Sequence, residues 1–230
     1  MADVNKIVDG TSAVYQAVTK NHGSIVRSLA DNPSKNNADL NLKADENCVE
    51  CTRAGDAPLH EAVVKGYTTI IETLINNKAD VNIQNSIHKN SQPIHEAGVH
   101  ARTGALELLK TGGADINAKD TDNNTPMIHA SIGGHQSTVS KTADLGAEVN
   151  LRNNLGKTAS RSTYSADITT FLSGIGGTST GKCPCADGTP FDQVACPVNQ
   201  ADYCASCDDG MECASCDSFS LQGGFAEISD

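Results

Sequence analysis

Tryptophan is absent from this 230-residue chain and aromatic residues make up only 3% of it. That scarcity argues against a large aromatic-lined ligand pocket and against a platform on which single-stranded nucleic acid could stack its bases. No Lys or Arg follows Lys182, and no His follows His135. There is no run of 18 or more apolar residues, so no transmembrane helix is expected. Residues 1–10, with Asp3 and Asp9, have neither the basic n-region nor the apolar h-region of a secretory leader. On this count the chain is either intracellular or has lost its leader.

The chain is 38% apolar, enough for a core if suitably patterned, and its length suits one elongated domain with a smaller appendage. The formal net charge is −11, unevenly distributed. Nine acidic residues lie in 183–230 (Asp187, Asp192, Asp202, Asp208, Asp209, Glu212, Asp217, Glu227, Asp230), which leaves 19 of the 28 to face all 17 basic ones in residues 1–182. Such an acidic tail is repelled by phosphate backbones and anionic headgroups, so neither nucleic acid nor membrane insertion is expected.

Internal repetition comes next, because it decides architecture. Pro58-Leu59-His60-Glu61-Ala62 recurs as Pro93-Ile94-His95-Glu96-Ala97, and as Pro126-Met127-Ile128-His129-Ala130 with its His displaced by one. In each copy an Ala follows the Pro by 21 residues, opening Ala79-Asp80-Val81-Asn82, Ala114-Asp115-Ile116-Asn117 and Ala147-Glu148-Val149-Asn150. Pro suits a first helical position, where its missing N–H would be unpaired anyway. Leu59, Ala62 and Val63, then Ile70, Ile71, Leu74 and Ile75, make apolar stripes that one helix pair cannot bury alone.

These residues resemble the ankyrin repeat over most of residues 12–173. The resemblance implies an all-α, helix-turn-helix solenoid with short β-hairpin fingers, spanning residues 1–173, with clear repeats at about 56–88, 91–123 and 124–156. Val14, Tyr15, Gln16 and Ala17, with Ile25, Val26 and Leu29, look like a first repeat ending at Ala38-Asp39-Leu40-Asn41; its second-helix loop is overlong and contains Pro33. Gly156-Lys157-Thr158-Ala159 and then Phe171-Leu172 look like a shortened last one. In the fourth repeat Thr138, Thr142 and Ala143 stand where the second has Ile70, Leu74 and Ile75. Burying each Leu or Ile stabilises by roughly 1.5–3 kcal/mol, so this helix pair is expected to be the loosest joint. The connection from Asn41 to Pro58 carries an insertion holding Cys48 and Cys51.

Several motifs invite chemistry and then withhold it. Residues 176–182 match the opening of a phosphate-binding loop, but Cys183 replaces the hydroxyl residue and Pro184 stands where a helix should run. Residues 177–181 match G-x-S-x-G, yet no His follows to serve a serine nucleophile. No activated nucleophile is recognisable, and the chain is not expected to be an enzyme. In ankyrin-like repeats a His at the place of His60, His95 and His129 bonds neighbouring backbone, so these are expected to be structural rather than metal ligands. Asp120, Asp122 and Asn124 open like a calcium loop, but the sixth position lacks Gly and the twelfth lacks Glu. Asp122 and Asn123 suit a tight turn there. Asn123 heads a glycosylation sequon, usable only in a secreted chain.

Past a Gly/Ser/Thr linker at 174–182, seven cysteines fall within 34 residues: Cys183, Cys185, Cys196, Cys204, Cys207, Cys213 and Cys216. The segment 183–217, loosely similar to EGF-like or furin-like modules, reads as a small, loop-dominated Cys-rich module, followed by an acidic tail at 218–230. A disulfide framework would compensate for the near absence of a hydrophobic core. The alternative is zinc held by Cys204, Cys207, Cys213 and Cys216, although five residues between the pairs make an unusually tight loop; otherwise no cofactor or metal is expected. Seven is odd, so at least one thiol is free, intermolecular or metal-bound. Cys48 and Cys51 either pair with each other, reach the tail, or remain reduced. Disulfides would place the chain in an extracellular or lumenal space, and their absence in the cytoplasm.

The resemblance implies a scaffold that binds a protein partner on its concave face. Carried over position by position, the contact residues are Gln84, Ile87, His88 and Lys89, then Lys119, Thr121, Asp122 and Asn124, then Arg152, Asn154 and Lys157, with Val64, Lys65, Val99 and His100 from the first helices. The alternative is a structural, self-assembling protein, extracellular and filament-forming, stabilised by disulfides, since an open-ended stack can associate head to tail.

Overall fold

The computed structural model describes residues 3–31, 38–45, 53–85 and 87–177. All nine cysteines, Pro33, residues 178–182 of the linker, the Cys-rich module and the acidic tail lie outside the described residues. So do the disulfide and zinc assignments that depend on them.

Among the described residues the chain is helical. Four helix pairs follow one another: α1 (Ala13–Thr19) with α2 (Gly23–Ala30), α3 (Pro58–Lys65) with α4 (Thr68–Asn76), α5 (Pro93–Val99) with α6 (Thr103–Thr111), and α7 (Pro126–Ile132) with α8 (Gln136–Asp144). A last helix, α9 (Ala166–Gly174), stands without a first-helix partner. Where that partner belongs, residues 158–162 form a single turn, closed by Arg161 N to Thr158 O at 3.1 Å and Ser162 N to Ala159 O at 3.2 Å. Pro58, Pro93 and Pro126 each open a first helix, after an extended residue whose ψ is near 160°. The missing proline N–H costs nothing at that position.

Stacking buries the predicted stripes. Leu59, Ala62, Val63, Ile70, Ile71, Leu74, Ala105, Leu106 and Leu109 share one apolar cluster that runs from Val14 to Ala118. Met127, Ile128, Ala130, Val139, Ala159, Ile168 and Leu172 form a second. The core is thus divided between the third and fourth repeats, where α5 meets α7. Backbone approaches backbone there: a Cβ on Gly98 would lie 2.4 Å from Pro126 O. In α8 the buried positions are Thr138, Val139 and Thr142.

The fingers are the loops that precede each first helix, and the expected β-hairpins are not confirmed in them. Among the described residues no strand forms, and only isolated bridges appear, Val8 with Thr11 and Asn85 with Ser91. Asx side chains take up backbone amides within two of these loops. Asp120 Oδ1 accepts from Asp122 N at 2.9 Å and Asn124 N at 2.8 Å, and Asn153 Oδ1 from Leu155 N at 3.0 Å and Lys157 N at 2.9 Å. The turns reverse through left-handed residues: Gly55 at φ 75°, Asn123 at 58° and Gly156 at 72°. Asp and Asn adopt this conformation at lower cost than most residues.

Candidate partner-binding face

The five fingers are stitched side by side. Asp45 N donates to Gly10 O at 2.7 Å, Asn85 Nδ2 to Ala54 O at 3.1 Å, Thr121 N to Lys89 O at 2.9 Å, and Asn154 N to Asp122 O at 2.8 Å. Asn154 Nδ2 adds a bond to Thr121 O at 3.0 Å. Of the residues expected to touch a partner, Lys89, Thr121, Asp122 and Asn154 therefore meet in one ladder. Lys89 also pairs with Asp122 on the next finger. Ile87 and Leu155 are exposed at their tips (43% and 62%), and Gln84, His88 and Lys119 are exposed as well. Arg152 crosses its own finger to Gly156 O at 2.6 Å, and Lys157 is half-buried.

Asn124 departs from this pattern. It is 7% exposed and accepts from Asn153 Nδ2 at 3.0 Å, so it joins fingers rather than presenting a surface. At the far ends of the first helices, Val99 and Ile132 are exposed (39% and 55%), while Val64 and His100 are half-buried. These ends are tied across repeats too: Arg102 donates to Val64 O at 3.1 and 2.8 Å, and His135 Nε2 lies 3.0 Å from Val99 O. Lys65 lies 3.7 Å from Glu61.

Beneath the fingers the histidines join one repeat to the next. His60 Nδ1 accepts from Ala57 N at 3.2 Å and its Nε2 reaches Ser91 O at 3.0 Å; His95 does the same with Gln92 N and Ala118 O, each at 3.0 Å. Burial holds both below the ordinary imidazole range, His60 at about 4, so neutral rings make these bonds. His129, displaced by one residue, instead meets Asp120 Oδ2 at 2.9 Å. Asp120 is thereby committed to that ring and to the amides of Asp122 and Asn124. Among the described residues no group of three His, Cys, Asp or Glu could hold a metal ion.

Sequence reasoning missed the ionic centre under the second and third fingers. Arg53, from the end of the insertion, forms a two-pronged pair with Glu96 (Nη2 to Oε1 2.8 Å) and lies 3.0 Å from Asp56 Oδ2. Asn85 donates to Asp56, Ser91 Oγ to Glu96 at 2.8 Å, and Tyr15 Oη to Arg53 O at 3.4 Å. Burial pushes Asp56 up to about 7 against the opposing Arg53 charge. Glu96 also feels burial, but bonds from Arg53 and Ser91 hold it below the usual carboxylate range. Residues 43 positions apart leave no local trace of such a pair.

A second missed feature was legible. Asn5 Oδ1 accepts from Asp39 N at 2.7 Å, as Asn41 does from Asp80 N and Asn117 from Glu148 N, each at 2.8 Å. Asp3-Val4-Asn5 is thus one more copy of the Asp-Val-Asn corner, and its identity to Asp80-Val81-Asn82 was there to be read.

Comparison with protein-family models matches residues 1–85 to ankyrin repeats, in three copies. The match spans the first two helix pairs and reaches the third finger, and two more helix pairs, α5 with α6 and α7 with α8, follow beyond it. Ankyrin repeats generally mediate protein–protein interaction. A search of the curated proteins finds no match.

Proposed function

We propose that this protein is a non-enzymatic scaffold that binds a protein partner along the third to fifth fingers, with the exposed ends of the first helices as the second wall of the site. The observation that carries this reading is the ladder from Lys89 O to Thr121 N and from Asp122 O to Asn154 N. It sets three fingers in fixed register, so a partner meets a preorganised surface and loses less entropy on binding. That surface mixes cations (Lys89, Lys119, Arg152) with exposed apolar anchors (Ile87, Leu155), a composition suited to an acidic protein segment with apolar side chains.

The test is affinity capture with the immobilised full chain beside a variant carrying Lys89→Ala, Lys119→Ala, Arg152→Ala and Leu155→Ser. A partner retained by the parent and released by the variant, at matched thermal stability, supports the face. Equal retention on both removes it.

A further inference from the structure

We propose that the C-terminal segment 217–230 of this same chain docks in cis on the finger face and competes there with the partner, a regulatory contact that rests on the reading of the face above. Lys89, Lys119 and Arg152 place a cation on each of three fingers held in register, with Ile87 and Leu155 exposed among them. Such a surface calls for anions and large apolar side chains together.

The chain itself carries that chemistry. Residues 183–230 hold nine acidic residues and no basic one. Within them the last 13 residues contain Phe219, Leu221, Phe225 and Ile228, including two of the chain's four phenylalanines, interspersed with Glu227 and Asp230 and preceded by Asp217. The 41 residues between Gly177 and Phe219 supply the reach. Fully extended, 41 residues span at most about 135 Å, several times the roughly 30 Å that three neighbouring repeats at about 10 Å each cover, so the reach survives shortening by a cross-linked module. Tethering of this kind sets an effective concentration on the order of 1 mM. A segment whose free affinity is only about 0.1 mM would then occupy the face most of the time, and would weaken any competitor by about tenfold.

A fluorescent peptide of residues 217–230, which contains no cysteine, tests this by titration into three full-length proteins. These are the parent, a tail variant (Phe219→Ser, Leu221→Ser, Phe225→Ser, Ile228→Ser), and the tail variant with Lys89→Glu, Arg152→Glu and Leu155→Ser added. The tail variant is expected to bind the peptide about tenfold more tightly than the parent, and the added face changes to abolish binding. No binding to the tail variant, or equal binding to it and the parent, overturns the proposal. So does a concentration-dependent dimer of the parent that the tail changes dissolve, because the segment would then act between copies. If the peptide fails while partner capture still depends on Lys89, Lys119, Arg152 and Leu155, the cis contact falls and the binding face stands. If capture is indifferent to those residues, the face itself falls.

Discussion

At the scale of single residues, Gly98 and the Arg53 centre are where small changes should cost most. Gly98→Ala would drive a Cβ to 2.4 Å from Pro126 O, and since the obstacle is backbone, a helix must move. We expect a loss of about 2 kcal/mol, seen as a lower urea midpoint, because overpacking of this kind typically costs 1–3 kcal/mol. Arg53→Ala would leave the Glu96 carboxylate buried without its cation beside Asp56, and should cost about 3 kcal/mol. An Arg53→Ala chain as stable as the parent would show the centre to be ornamental.

The same centre sets a pH dependence. Asp56 keeps its proton to about pH 7 in the folded chain but releases it near 3.8 when unfolded, so its stabilising contribution is complete below 3.8 and fades as pH rises through 7. His60 runs the other way: depressed to about 4 from 6.5, it stabilises above 6.5 and loses that contribution as pH falls toward 4. The two partly cancel between pH 4 and 6.5. Asp56→Asn removes one side of the balance, so its urea midpoint relative to the parent should be higher at pH 8 than at pH 5. A difference that stays constant across that range would count against the raised value.

At the scale of elements, the fourth helix pair should be the weakest. Thr138 and Thr142 are fully buried in α8 where α4 buries Ile70 and Leu74. Thr142 Oγ1 donates back to Val139 O at 2.8 Å, but Thr138 Oγ1 and Ser131 Oγ find no partner among the described residues. A buried hydroxyl left without a hydrogen bond costs about 1–3 kcal/mol. Amide exchange should therefore be faster across residues 136–145 than across 68–76, and Thr138→Val should slow it while adding about 1 kcal/mol. Uniform exchange along the stack would contradict this.

At the scale of the whole molecule, the core falls into a cluster from Val14 to Ala118 and another from Met127 to Leu172, with Ala147 packed against both. Repeat arrays gain stability from nearest-neighbour interfaces, and α5 meets α7 through a close backbone approach at Gly98 while the large apolar side chains on either side belong to separate clusters, so the two parts should unfold separately. Urea unfolding followed by probes in α4 and in α9 should then give two midpoints, with α9 the lower. Coincident curves would show that the histidine and finger ladders suffice to bridge the break. Raising salt should weaken partner binding through the finger cations more than it alters either midpoint, since exposed charges are screened and the Arg53 centre is buried.

The repeat was legible in the sequence because Pro, His and the Ala-Asp-Val-Asn corner each obey a local rule, and local rules survive in one dimension. Helix starts, helix pairs and the polar substitutions of the fourth repeat all follow from spacing and side-chain type. Tertiary structure alone decided what spacing cannot encode. It set Asx turns into the fourth and fifth fingers, where Asp120 and Asn153 reach their neighbouring amides. It withdrew Asn124 from the surface, and it joined Arg53 to Glu96 across 43 residues. Pairings of that range depend on how the repeats stack, and stacking is a property of the folded chain.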